Sequence, residues 1–300
     1  MIPDRMIPTL LNIRAMTRED LNLAIDWAAQ EGWNPGLYDA EPFWAADPGG
    51  FLIGEIASDH GKPQPVSVIS AVRYGEDFGF IGFYIVKPEY RGQGYGWAIW
   101  QAAMQHLQGR TLGLDGVVAQ QDNYRRSGFV LAQRNRRYAG QGPAVPVETV
   151  GQAAGAFSLM PLNSIPWIEL MNYDRRCFPA AREAFLRAWI AQPGTRSLAA
   201  VTGGRLCGYG VIRPCRSGFK IGPLFADGPE IAESLFTGLS QEVPPEVPYF
   251  LDVMESAPQA LDLVARHGMQ LVFETARMYL SPPPNLALGQ IYGISSFELG

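Results

Sequence analysis

The sequence predicts two tandem domains of α/β (α+β) class, and three observations carry that expectation. Its 300 residues exceed the usual size of one domain. Residues 10 to 140 alternate apolar runs with amphipathic stretches, in the order strand, helix, three strands, helix, strand, helix, strand. The third observation is an internal repeat. Ile81-Gly82 recurs as Ile221-Gly222, Gly128 as Gly268 and Arg137 as Arg277, each 140 positions on. The flanking stretches agree, YRRSGFVLAQRNRRY beside LVARHGMQLVFETARMY, each reading as short helix, glycine, strand. Three coincidences at one offset favour two copies of one fold.

Taken in order, Leu10 to Ala15 reads as a short strand. Thr17-Arg-Glu-Asp20 has capping-box spacing, and Leu21, Ile25 and Ala28 form a helical stripe behind it. The next stretch, EGWNPGLYDAEPFW, reads as irregular because Gly32, Pro35 and Gly36 interrupt any helix. Gly50 to Ile56 and Val66 to Tyr74 read as hairpin strands joined by the polar SDHGKPQ turn. Phe78 to Val86 is almost continuously apolar, as a strand buried on both faces would be, and Pro88 ends it. From Gly94 to Leu107 the pattern is helical, with Tyr95, Ile99, Ala102, Ala103 and Leu107 on one face. Thr111 to Val118 reads as a strand, Gln120 to Ser127 as a short helix capped by Gly128, and Phe129 to Tyr138 as a final strand. The Gly- and Pro-rich stretch GQGPAVPVETVGQAAG reads as a linker, giving domains 1–140 and 155–300 joined by 141–154.

Composition narrows the function classes. The formal net charge of -5 is spread without a basic block, which argues against a nucleic-acid partner. No apolar stretch approaches the ~20 residues of a membrane span, and the N-terminus, with an early Asp and Pro, does not read as a convincing signal peptide. Cys177, Cys207 and Cys215 show no metal-binding spacing, so reduced thiols in a cytoplasm are expected, with no metal site.

PEYRGQGYGW is the segment that carries chemistry. A glycine-rich loop entering a helix aims several backbone N–H groups at one point, where the helix dipole favours an anion such as pyrophosphate. Glycine at alternate positions keeps side chains out of the way, and Arg91 can supply charge at the rim. A P-loop would need Lys-Ser or Lys-Thr where Trp97-Ala98 stands. A Rossmann fingerprint would need a third glycine at Ile99 and no PEYR between strand and loop, although Asp115 lies at a suitable distance for a ribose-binding acid.

An apolar strand, then VKPEYRGQGYG, then an amphipathic helix resembles the acetyl-CoA-binding motif of the GNAT N-acetyltransferase superfamily. Arg91, Gly94 and Gly96 occupy its Arg/Gln-x-x-Gly-x-Gly/Ala positions, with a further glycine at Gly92. Tyr124-Arg-Arg-Ser-Gly128-Phe129 matches the aromatic Y-x-x-x-G-F segment that follows the next strand. FETARMY and the terminal YGISSFELG resemble a two-domain bacterial subgroup whose second GNAT-like domain is degenerate. Where the first half reads VKPEYRGQGYG, the second reads FADGPEIAESL and has no glycine loop.

The resemblance implies two GNAT-like domains, each a mixed, mostly antiparallel sheet flanked by helices. It also implies acetyl transfer from acetyl-CoA directly to a primary amine of a small molecule or peptide. The pantetheine arm would pair with Tyr84, Ile85 and Val86, and the pyrophosphate would lie against Arg91, Gly92, Gln93, Gly94, Tyr95 and Gly96. Tyr124 would protonate the departing thiolate, its ordinary pKa of about 10 being close to that of an alkyl thiol; packing beside Gly128 is its other reading. Asn123 is expected at the cofactor. Many relatives carry Asn and Ala seven and four residues before the tyrosine, where this chain has Val117 and Gln120.

The general base stays open among His60, His106, Glu76, Asp77, Asp115 and Asp122. Trp33, Tyr38, Phe43 and Trp44 either wall the acceptor site or pack a core. His267, Asp252 and Glu255 are second-domain candidates for that wall. A noncatalytic acyl-CoA-binding sensor or assembly module is the rival reading, and a homodimer is left open.

Overall fold

The computed structural model describes residues 11–57, 62–142 and 157–300. Residues 58–61 of the expected SDHGKPQ turn, including His60, and most of the expected linker lie outside the described residues, whereas Pro63 and Gln64 of that turn already belong to a strand. The first half runs β1 (Asn12–Ala15), α1 (Arg18–Gln30), α2 (Ala40–Ala46), β2 (Phe51–Ala57), β3 (Pro63–Tyr74), β4 (Phe78–Val86), α3 (Tyr95–His106), β5 (Thr111–Val117), α4 (Gln121–Arg126) and β6 (Val130–Gln141). The second runs β7 (Ser158–Pro161), α5 (Trp167–Cys177), α6 (Glu183–Ile190), β8 (Arg196–Thr202), β9 (Arg205–Pro214), β10 (Phe219–Ala226), α7 (Pro229–Ser240), β11 (Pro248–Met254), α8 (Pro258–Arg266), β12 (Gln270–Leu280) and β13 (Ile291–Gly293).

Local chemistry sets most of these elements as expected. Thr17 Oγ accepts from the Asp20 amide at 3.2 Å while the Asp20 carboxylate accepts from the Thr17 amide at 2.8 Å, so the capping box forms. Gly128 (φ 91°) and Gly268 (φ 61°) both close their short helices in the left-handed region. The stretch expected to be irregular holds α2, because Pro42 falls in its first turn, where a missing N–H costs no helical bond.

Among the described residues all strands join one mostly antiparallel sheet in the order β1-β2-β3-β4-β5-β12-β6-β11-β10-β9-β8-β7, with β13 against β10. The parallel pairs are β4–β5 and β10–β11. The halves exchange their last long strands: β12 lies against β5, β6 lies against β11, and β6 and β12 pair with each other at the centre. Alternate residues of β3 feed opposite faces. Val68 and Val72 join a core with α1, α2 and the second half, whereas Ile69 and Ala71 join one with Ile99, Trp100 and Met278.

The repeat becomes intelligible at this centre. Arg137 on β6 makes a bidentate pair with Asp252 on β11, both contacts 2.7 Å. Arg277 on β12 makes the equivalent pair with Asp115 on β5, at 2.8 and 2.6 Å. Each repeated arginine therefore anchors an exchanged strand to the other half. The repeated Gly82 and Gly222 are points of close approach. A Cβ at Gly82 would run into the carbonyl oxygen of Glu298, and one at Gly222 would sit 2.7 Å from the carbonyls of Ile294 and Ser295. The tail, buried throughout residues 291–300, is what both glycines admit.

Candidate active site

The site begins where β4 leaves β5. The parallel ladder runs from Phe78↔Thr111 to Ile81↔Leu114 and stops. Beyond it, Phe83 and Tyr84 oppose the single residue Ile69 of β3, a β-bulge in which Phe83 takes φ 45°. The bulge turns β4 away from β5 and opens a cleft of about 1090 Å³. Ile81 to Val86 form one wall and Leu114 to Val117 the other.

The glycine loop stands at the mouth of this cleft. Gly92 (φ 78°) and Gly94 (φ 92°) are both left-handed, and Gly94 is the N-cap of α3. A glycine N-cap brings no side-chain oxygen to the first-turn amides, and that turn contains no acidic residue. Those features fit an anion at the helix N-terminus. Gly96 has a second reason to be glycine: its Cβ would lie 2.8 Å from Tyr84 Oη and 3.1 Å from Val86, so α3 can rest on β4. Arg91 turns back from the rim, Nε donating to Val86 O at 2.9 Å and the guanidinium pairing with Glu31.

Of the residues expected at the cofactor, Tyr84, Ile85, Val86, Arg91, Gly92, Gly94, Gly96 and Asn123 line the cleft. Gln93 does not; its amide donates to Glu89 O at 3.0 Å. Nor does Tyr95, whose ring packs edge-on against Tyr90. Asn123 donates to Gln120 Oε1 at 2.6 Å, and Gln120 also borders the cleft. Tyr124 lines the cleft too, buried against Trp100 at 5.6 Å, in space that any Cβ at Gly116 would occupy. Burial and then the charge of Tyr84 push the Tyr124 phenol well above its ordinary value; burial alone takes Tyr84 up to about 12.

The open base candidates fall away from the reacting region. Glu76 and Asp77 sit at the far, β3–β4 end of the sheet, and Asp122 faces solvent with Arg125. Asp115 reaches the cleft but is held by Arg277 and by Asn135, which donates at 2.8 Å. His106, near the end of α3, faces Asp47 at 3.8 Å. Asp252 is committed to Arg137, Glu255 to Arg136, and His267 to Glu233. Of the four aromatic residues, Trp33 alone borders the cleft. Phe43 packs on Phe83 and Trp189, Trp44 on Phe51, and Tyr38 is exposed.

Phe273 and Thr275 of β12, with Phe297 and Glu298 of the tail, also line the cleft; they lie in FETARMY and YGISSFELG, stretches that carry family resemblance but gave no sign of a place at the site. Strand exchange brings the first pair. The second pair arrives because the tail crosses from the other half.

The second half keeps the bulge and closes the cleft. Gly222 and Pro223 oppose the single residue Val211, as Phe83 and Tyr84 oppose Ile69. Here, however, β13 pairs with β10 at Leu224↔Gly293 and Phe225↔Ile291, filling the gap that opens beyond the β10–β11 ladder. At the start of α7, Pro229 removes a first-turn N–H and Glu230 adds negative charge, so an anion is disfavoured there.

Comparison with known proteins agrees with this geometry. Residues 17–131 match the acetyltransferase (GNAT) family model, and residues 170–293 match an acetyltransferase (GNAT) domain model. A holothin acyltransferase of Pseudoalteromonas sp. (strain SANK 73390) is 28% identical over 282 residues, spanning 94% of this chain and 92% of that protein. A putative acetyltransferase from Pyrococcus horikoshii superposes with TM-score 0.79 at 23% identity, over 99% of this chain and 98% of that one. A tandem GNAT protein from the clavulanic acid biosynthesis pathway gives TM-score 0.59 at 14% identity, over 91% and 99%. With a family model on each half and one cleft between splayed strands, the chain belongs to the GNAT acyltransferase superfamily as a two-domain member.

Proposed function

We propose that the protein is an N-acetyltransferase that moves an acetyl group from acetyl-CoA directly to a primary amine of a small molecule or peptide. The observation that carries this reading is the left-handed Gly92–Gly94 loop capping α3 at the mouth of the cleft where β4 leaves β5. The donor's pyrophosphate would lie against the α3 N-terminus and its pantetheine along Tyr84 to Val86. The donor supplies the activated thioester; the chain's own residues hold, orient and handle protons. Three buried, unpaired cysteines support a reducing, cytoplasmic setting, and no described helix is long and apolar enough to cross a membrane.

Calorimetry with CoA and acetyl-CoA, followed by thiol release over an amine panel, tests the reading. The relative's name makes holothin the first acceptor to try; spermidine, amino acids, aminoglycosides and short peptides complete the panel. Micromolar binding and release of thiol with at least one amine are expected. Absence of CoA binding overturns the reading, and binding without turnover returns the sensor alternative.

A further inference from the structure

Three carboxylates border the cleft, Glu31, Asp115 and Glu298, and among the described residues no histidine, cysteine or lysine does. Glu31 is committed to Arg91, and Asp115 to Arg277 and Asn135. Glu298 differs from both. It is 3% exposed, and neither of its carboxylate oxygens has a hydrogen-bond partner. Burying a carboxylate without a partner is costly, and native proteins keep such groups rarely.

The tail is built to hold this residue in place. Ser296 Oγ accepts from the Leu299 amide at 3.0 Å and Ser296 O from the Gly300 amide at 3.2 Å, closing a turn with Phe297 and Glu298 inside it. Tyr74 donates to Leu299 O at 3.1 Å, and the Glu298 carbonyl rests on Gly82. Phe297 lies under the Arg137 guanidinium at 4.7 Å. Gly82 directly precedes the bulge, so Glu298 stands at the inner end of the cleft. The glycine loop stands at the outer end. A donor lying from the loop along Val86 to Tyr84 points its thioester toward Glu298.

Arg137 on β6, Arg213 on β9 and Lys220 on β10 attract Glu298 electrostatically. Arg137 and Arg213 are already paired with Asp252 and Asp39, and Lys220 Nζ donates to Asn34 O at 3.0 Å. Asp115 is the other buried carboxylate bordering the cleft.

We propose that Glu298 is the general base that takes the acceptor amine's proton, so that the tail of the second half completes the site of the first. The proposal rests on the acyl-transfer reading. Glu298 removes one proton from the ammonium, freeing the nitrogen lone pair to bond to the thioester carbonyl carbon. As the C–S bond breaks, Tyr124 gives its phenolic proton to sulfur, the second proton shed by nitrogen restores the Tyr124 phenol through solvent, and Glu298 passes the first to solvent. An ammonium and a thioester become an amide, a thiol and one proton released to solvent.

The test compares wild type, Glu298→Gln and Glu298→Asp, using acetyl-CoA and the panel amine turned over fastest. For Glu298→Gln, kcat/KM is expected to fall about 100-fold or more, with the acetyl-CoA Kd from calorimetry unchanged. The acidic limb of the pH profile of kcat/KM should flatten in that variant. Glu298→Asp should keep the acidic limb at a reduced rate, and it carries the test if the Gln variant does not fold. A wild-type profile in Glu298→Gln overturns the proposal, as does a lowered Tm with an unchanged pH profile, which would make Glu298 only a counter-charge to the buried cations. Wild type that binds CoA but acylates no amine also overturns it. Wild type that does not bind CoA instead overturns the acyl-transfer reading beneath it.

Discussion

Tyr124 and Glu298 stand on opposite footings at the residue scale. Tyr124 was legible because its Y-x-x-x-G-F segment resembles the family's, and the structure sets it on a short helix in the cleft wall. Tyr124→Phe is expected to lower kcat about 100-fold while leaving CoA affinity unchanged by calorimetry. Because its pKa is raised, the phenol stays protonated through its ordinary value of about 10. An acid is competent below its pKa, so no alkaline fall in kcat assignable to Tyr124 should appear before about pH 10. Glu298 lies in YGISSFELG, a stretch that carries family resemblance, but nothing there marks the residue itself as a base. Its proposed role rests on unpartnered burial at a cleft of which one wall, Ile81 to Val86, lies more than 200 positions away.

Two elements show how far local rules reach. The α1 capping box forms as spaced, and Thr17→Ala should cost about 1 kcal/mol in a urea-unfolding measurement. The α3 entry also forms as the glycine pattern predicts, with Gly94 left-handed at the N-cap. Gly94→Glu would place bulk and negative charge at the dipole's positive end and strain a φ of 92°. It should abolish CoA binding by calorimetry; unaltered affinity would count against the cradle. What the loop alone could not tell was why Gly96 is glycine. That reason includes Tyr84, a residue on another strand, because helix and strand meet there.

The strand exchange dominates at the scale of the whole molecule. Residues 11–142 alone would leave β5 without β12 and β6 without β11, with Asp115 and Arg137 stripped of their partners. That fragment should not fold, and the intact chain should unfold in one calorimetric transition. Arg137→Met leaves Asp252 buried without its hydrogen-bonded partner, with only the more distant charges of Lys220 and Arg213 to favour it, so a loss of about 3 kcal/mol is expected. Burial opposes ionisation of Asp252, but Arg137 outweighs it and holds the carboxyl below its ordinary value. The pair's stabilisation is therefore present above about pH 4, the unfolded value, and is lost as pH falls through the lower folded one. That acid loss should shrink in Arg137→Met. The sequence by itself determined the class of the first half's elements apart from α2, the duplication and the loop, because caps, periodicity and glycine placement are local, and the family resemblance picked out Tyr124. Tertiary structure alone decided that the last strands trade places, that β13 closes the second cleft, and that the tail delivers Glu298 to the first. Those outcomes depend on which sheet edges pair across long separations, and a strand's own residues do not encode its partner.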